Sequence, residues 1–163
     1  MRSQRVFILA GLLAISTIAQ GTQLSDSSCP VTIGSGSLGP PFPASQNWYG
    51  SETLAVVLPE DGKWGITGPS ANIAVKLFVW SLGFKPGMER HLSVRVESLS
   101  GGPNDAVVKG ISGAKAPSLG GWTMLAGIDF PSVGCWRLNL DYLGQSLSFV
   151  VETYDWTNED PAI

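Results

Sequence analysis

The stretch whose reading decides the fold is "FPSVGCWRLNLDYLGQSLSFVV", residues 130–151. Two runs of alternating apolar and polar residues flank the turn signal Leu143-Gly144-Gln145, the pattern of two strands joined as a β-hairpin. In the first run Trp136, Leu138, Leu140 and Tyr142 share one parity, while Cys135, Arg137, Asn139 and Asp141 share the other. Successive side chains of a strand point to opposite faces, so the first set faces a core. Unless Gly134 introduces a bulge, Cys135 points to the solvent side. It is then not the buried inter-sheet cysteine of an antibody domain.

The strand pattern extends upstream of that hairpin. "TLAVVL" (53–58) reads as a strand, and "PEDGKWG" supplies an Asp61-Gly62 turn of the kind favoured in hairpins. "ANIAVKLFVWSLG" is apolar on both parities, with Val75, Leu77 and Val79 on one side and Phe78 and Trp80 on the other, as in a central strand covered on both faces. In "HLSVRVESL", Leu92, Val94 and Val96 alternate with Ser93, Arg95 and Glu97, which predicts a half-buried strand with one wet face. Residues 99–121 offer at most a short strand at Ala106 to Ile111, and "WTMLAGIDF" resumes the strand pattern. With 20 glycines, 11 prolines and no sustained helical period in the mature chain, the fold class predicted is all-β. The expected architecture is an antiparallel, Ig-like β-sandwich of about seven strands with an extended N-terminal arm, and a small barrel is the alternative.

The first residues bear on compartment. Arg2 and Arg5 precede an apolar run from Val6 to Ile18 and a small-x-small site at Ala19-Gln20-Gly21, the layout of a secretory signal peptide. A membrane-spanning helix needs roughly 20 apolar residues, so no span is expected after signal removal. The expected organisation is a signal peptide over 1–21, an arm over 22–50, a sandwich over 51–155 and a frayed tail over 156–163. The mature protein is expected to be exported. Lipid anchoring at Cys29 is disfavoured because Asp26-Ser27-Ser28 lacks the Leu-x-small pattern before the cysteine. In an exported chain with two cysteines, Cys29 is the only partner within the chain for Cys135, and a disulfide between them would pin the arm across the outside or end of the sandwich.

"CPVT" after the signal, "WYGSETLAVVLPEDGKW" and the closing hairpin resemble a group of exported bacterial proteins of unassigned function, whose chains open with Cys-Pro-Val-Thr and close with a Gly-Cys-Trp strand. The resemblance implies an Ig-like sandwich, a disulfide at Cys29 and Cys135, and a bacterial source. It carries over no catalytic residue.

The charge balance narrows the partners. A net charge of -3, 14% charged residues and no basic cluster leave nucleic acid without its electrostatic footprint. "GSGSLG" (34–39) fits G-x-G-x-x-G, but Pro40, Pro41 and Pro43 follow where a phosphate-binding helix would have to begin. His91 is the only histidine and no metal-ligand spacing surrounds it, so neither a metal nor a cofactor is expected. The acids Glu60-Asp61, Asp105 and Glu159-Asp160 lie in turns, a loop and the tail, the positions of solvated surface carboxylates.

Among the aromatics, Trp80 and Trp136 fall inside strands, whereas Trp48 with Tyr49, and Trp64, sit beside glycines at loop or turn positions. The expected function is therefore a non-enzymatic exported module, binding or structural, of the bacterial envelope or secretome, with a protein or glycan ligand. One alternative is a carbohydrate-binding domain using Trp48, Tyr49 and Trp64. A second is a secreted hydrolase with a dispersed site, and the loop from Leu99 to Gly121 is a further candidate, for protease inhibition.

Overall fold

The computed structural model describes residues 28–36, 38, 42–66, 74–88, 91–101 and 106–158. The signal-peptide reading, Asp105 and Glu159-Asp160 lie outside them. Nine strands follow in order: β1 (Trp48–Gly50), β2 (Leu54–Val57), β3 (Lys63–Ile66), β4 (Val75–Ser81), β5 (Ser93–Ser98), β6 (Val107–Ala116), β7 (Gly121–Asp129), β8 (Gly134–Tyr142) and β9 (Gln145–Asp155). They form a five-stranded sheet, β1-β2-β4-β7-β6, and a four-stranded sheet, β3-β9-β8-β5. Every pairing is antiparallel except that of β3 with β9. The protein is an all-β sandwich.

Period-2 alternation builds the core. Leu54, Val56, Leu77, Val79, Met124, Ala126 and Ile128 from one sheet meet Trp64, Ile66, Trp136, Leu138, Leu140, Phe149 and Val151 from the other, at about 1.5–3 kcal/mol for each large side chain withdrawn from water. Trp136 and Phe130 lie 5.4 Å apart. The indole Nε1 of Trp136 donates to Thr153 Oγ1 at 3.1 Å, and Thr153 Oγ1 in turn lies 3.1 Å from the Ser132 carbonyl, so the polar atoms of this buried corner satisfy one another.

β4 is the central strand of its sheet, apolar on both faces as its sequence predicts. Its outward residues Phe78 and Trp80 join a second cluster with Phe42, Trp48, Ala55 and Leu119. The roof of that cluster is the arm, expected as an extended segment pinned across the outside or end of the sandwich, which here packs closely on the sheet. Phe42 stands edge-on between Trp48 and Trp80, at 4.8 and 4.5 Å. The end of the arm is itself a strand, β1.

Three elements differ from the sequence reading. Asp61-Gly62 does not close a hairpin: it carries the chain from one sheet to the other, because β3 directs Trp64 and Ile66 into the core beside β9. Gly62 has φ +70°, and a Cβ there would come within 2.7 Å of Val31. β6 runs for ten residues where a short strand was expected, held by its ladder to β7 with an irregularity between Val108 and Gly110. The two very short strands β1 and β3 bring the total to nine.

Cys29 is bonded to Cys135, with Cα atoms 5.5 Å apart. Cys135 shares the outward parity of Arg137 and Asn139, yet is 8% exposed because the arm lies over it. The arm then runs along the free edge of β9, where Thr32 N donates to the Val150 carbonyl and Val150 N donates to Thr32 Oγ1. Gly36 finally bridges to Trp48 in the opposite sheet. One segment thus closes the side of the sandwich on which β1 and β3 are the edges. The disulfide fits an oxidising compartment, and no helix among the described residues is long and apolar enough to cross a membrane.

Candidate functional site

At one end of the sandwich the β1–β2, β4–β5, β6–β7 and β8–β9 connections meet. The β8–β9 hairpin closes through Leu143 (φ 49°) and Gly144 (φ 77°), a two-residue turn with both central residues left-handed. Asn, Asp or Gly normally holds the first of those positions, because a Cβ there crowds the following carbonyl. Leu143 is the only described non-glycine residue with positive φ, and it is 57% exposed. Its side chain leans on the β4–β5 connection, where a Cβ on Gly83 would come within 2.8 Å of Leu143 Cδ1.

The surrounding loops are held firmly. Leu82 N donates to the Thr53 carbonyl, Thr53 Oγ1 donates to Gln145 Oε1 at 3.1 Å, and Phe84 is buried as a plug into the core. Yet Leu82 is 65% exposed, Met88 is exposed on the following turn, and Trp122 is 42% exposed. The β4–β7 register places Met124 opposite Val79, so Trp122 lies level with Ser81 on the core-facing parity of β7, while Leu82 continues the outward parity of Phe78 and Trp80. Exposed large apolar side chains therefore occur on two connections, at Leu82, Met88 and Leu143, and at the start of β7, at Trp122, all at one end of the sandwich. Scattered surface apolar residues need no explanation, whereas a grouped set marks an interaction site.

The aromatics put forward by the sequence are elsewhere and do not form a shared surface. Trp48 is fully buried beneath the arm and donates Nε1 to the Pro43 carbonyl at 3.1 Å. Trp64 is buried in the main core near Phe130 and Phe149. Tyr49 is half-buried against Phe149 and donates its hydroxyl to the Ser148 carbonyl, sealing one sheet to the other. Of the three, Trp48 and Trp64 have no exposed ring face to offer a sugar, and Tyr49 is half-buried. The exposed indoles are Trp122 and Trp156, and the sequence signal for Trp122 was the Gly120-Gly121 pair before it, which ends a tight connection and leaves the next side chain at a rim.

The described carboxylates stand apart on the surface. Asp141 pairs with Arg95, Glu152 with Lys63, Asp129 with Lys109, and Asp61 Oδ1 accepts the Lys63 amide in its turn. Such pairs fix side chains on a wet face. Among the described residues no three His, Cys, Asp or Glu side chains are grouped to hold a metal ion, and residues 42–47 after the glycine motif make turns rather than a helix. Burial raises the Tyr142 phenol above its ordinary value of 10.0. Its hydroxyl has no hydrogen-bond partner among the described residues.

Comparison with protein-family models, with curated proteins and with solved structures finds no match to this chain.

Proposed function

We propose that this chain is an exported, non-enzymatic binding module that meets a protein partner through the loop end carrying Leu82, Met88, Trp122 and Leu143. The observation that carries the reading is Leu143: an exposed leucine held in a left-handed conformation that glycine or asparagine adopts with less strain. Strain kept at an exposed position points to a role outside folding. The connectivity supports an Ig-like reading. Apart from β1, the sheet orders β2-β4-β7-β6 and β3-β9-β8-β5 correspond to the ABED and GFC arrangement of an Ig constant domain, with the first strand divided between the sheets. The β4–β5, β6–β7 and β8–β9 connections then take the places of the loops that cluster at the binding end of variable domains.

The test uses the mature protein with a photo-crosslinking residue at position 82, and at Ser146 on the polar face as control, incubated with envelope and secreted fractions of the producing cell. One partner captured from position 82 alone, and lost when Leu143→Asn is added, is the expected result. Equal capture from both positions would sink the loop-end reading. The same Leu143→Asn change should raise stability by about 1 kcal/mol, as expected for relief of left-handed strain.

A further inference from the structure

The described residues do not cover the outer face of the five-stranded sheet throughout. Beyond the arm, towards the opposite end from the loops, lies an open concavity of about 560 Å³ on β4, β7 and β6. Its floor is Gly127, in the middle of β7 and paired on both sides, to Lys76 of β4 and to Gly110 of β6. Gly110 has φ +143° at the strand irregularity, so its backbone requires glycine. Gly127 has no such requirement. Its φ is ordinary, and a Cβ there would meet Ala74 Cβ at 3.4 Å and Lys109 Cβ at 3.9 Å, both normal contacts. Glycine inside a strand weakens it relative to alanine, and where neither turn nor packing needs it, it leaves room for something to approach the backbone.

The surroundings define what could approach. Leu125 and Ala74 give the concavity an apolar lining and Ser112 adds a hydroxyl. Lys76 and Lys109 flank Gly127 from the two neighbouring strands, with backbones about two strand spacings, or roughly 10 Å, apart. Asp129 holds Lys109 at the rim by an ion pair, while Lys76 has no ionic partner among the described residues. On a chain of net charge -3, this is a local positive site over an apolar, side-chain-free floor.

We infer that this concavity binds one ring of an acidic saccharide, a hexuronate, with the C–H face of the ring on Gly127 and Leu125 and its carboxylate between Lys76 and Lys109. A sugar acid combines the two features the site asks for: a flat apolar face the depth of a single missing side chain, and one negative charge at its edge. The site is separate from the loop end and does not depend on the reading given for it.

The experiment is titration of the mature protein with oligogalacturonate at low salt, followed by heteronuclear NMR, with a neutral oligosaccharide of equal length and polyglutamate as the other arms. Shifts centred on Gly127, Leu125 and Lys76 with oligogalacturonate alone are expected. Lys76→Glu, at an exposed position, should weaken binding at least about tenfold, the equivalent of about 1.4 kcal/mol. Gly127→Val should abolish it while the dispersion of the spectrum shows the fold intact. Equal binding of polyglutamate would show a charge effect only and overturn the saccharide, as would binding of the neutral sugar. Absence of shifts at these residues, or binding unchanged by Gly127→Val, would overturn the site.

Discussion

The two outer faces of the sandwich are treated in opposite ways. On the five-stranded sheet the outward residues Ala55, Phe78 and Trp80 are apolar, and the chain covers them with its own arm through Phe42 and Trp48. On the four-stranded sheet the outward residues are mostly polar, among them Arg95, Glu97, Arg137, Asn139, Asp141, Ser146 and Ser148, joined across strands by Arg95 to Asp141, Ser146 to Asp141 and Ser148 to Asn139. That face is left to water, save at its margin, where Cys29 crosses to Cys135. One arm therefore serves both faces, by a covalent bond on the polar one and by packing on the apolar one. A face with few apolar residues, Val150 and Tyr154 of β9 among them, offers the arm little packing energy, so a covalent anchor supplements it there.

The largest expected effect tests that division. Replacing both cysteines with serine removes a cross-link spanning a sequence separation of 106 residues, for which chain entropy alone predicts a loss of up to about 4–5 kcal/mol. Denaturant unfolding of oxidised wild type against the double variant measures it. The β-rich circular dichroism should persist, with protease cleavage appearing first near residues 28–36. A loss below about 1 kcal/mol would mean that packing on the apolar face holds the whole arm. Phe42→Ala is the complementary break. It empties the space between Trp48 and Trp80 and should cost about 3 kcal/mol, and the emission of the two indoles should shift to longer wavelength as water reaches them. If Phe42→Ala proved neutral, the arm would be a tether and not a cover.

The same contrast explains how much of the molecule was legible in its sequence. The polar face could be read residue by residue, because alternation in 93–98 and 135–142 is local and the two-residue turn at Leu143-Gly144 fixes the register between β8 and β9. β4 was legible as a doubly covered strand, but the sequence did not say what covered its outer side. Ser, Gly and Pro in the arm read as open chain, while two aromatics, Phe42 and Trp48, turned it into a roof. That event is tertiary, and it also moved Trp48 from exposed candidate to buried anchor. β6 was half missed for a related reason: "VVKGISGAKA" has weak strand propensity of its own and is extended because β7 supplies its ladder. The loop end was illegible because no local pattern announces that Leu82, Trp122 and Leu143 come to the same end of the sandwich.

Tyr142, Thr123 and Asp129 each bury a side-chain oxygen without a hydrogen-bond partner among the described residues. Of these, the Tyr142 hydroxyl lies in the shared interior between the two faces. Tyr142→Phe should therefore stabilise the protein by about 1 kcal/mol, since the desolvated hydroxyl is removed without breaking a bond. The pH dependence gives a sharper sign. Burial raises the folded-state pKa above 10.0, so as pH climbs past about 10 the unfolded chain loses this proton before the folded one. Stability contributed by the neutral phenol is intact below pH 10 and falls as pH rises towards the folded value. Thermal melts between pH 8 and about 11 should show an alkaline decline that is shallower in Tyr142→Phe. An identical decline in both proteins would assign it to other groups.

The smallest effects belong to the polar face. Glu97 faces Arg137 at 3.9 Å, and both side chains are nearly half exposed, so water and salt screen the pair. Replacing both with glutamine should change stability by less than about 0.5 kcal/mol, and raising the salt concentration should erase even that difference. The same double change made around Phe78 or Trp80 would remove tens of packing contacts, because there the arm excludes the solvent that screens charges on the other side. If the Glu97 and Arg137 pair instead cost as much as Phe42→Ala, the polar face would have to be covered in solution by something with complementary charge. The docking surface sought at the loop end would then have a rival on the four-stranded sheet, and a crosslinker at Ser146 would find it.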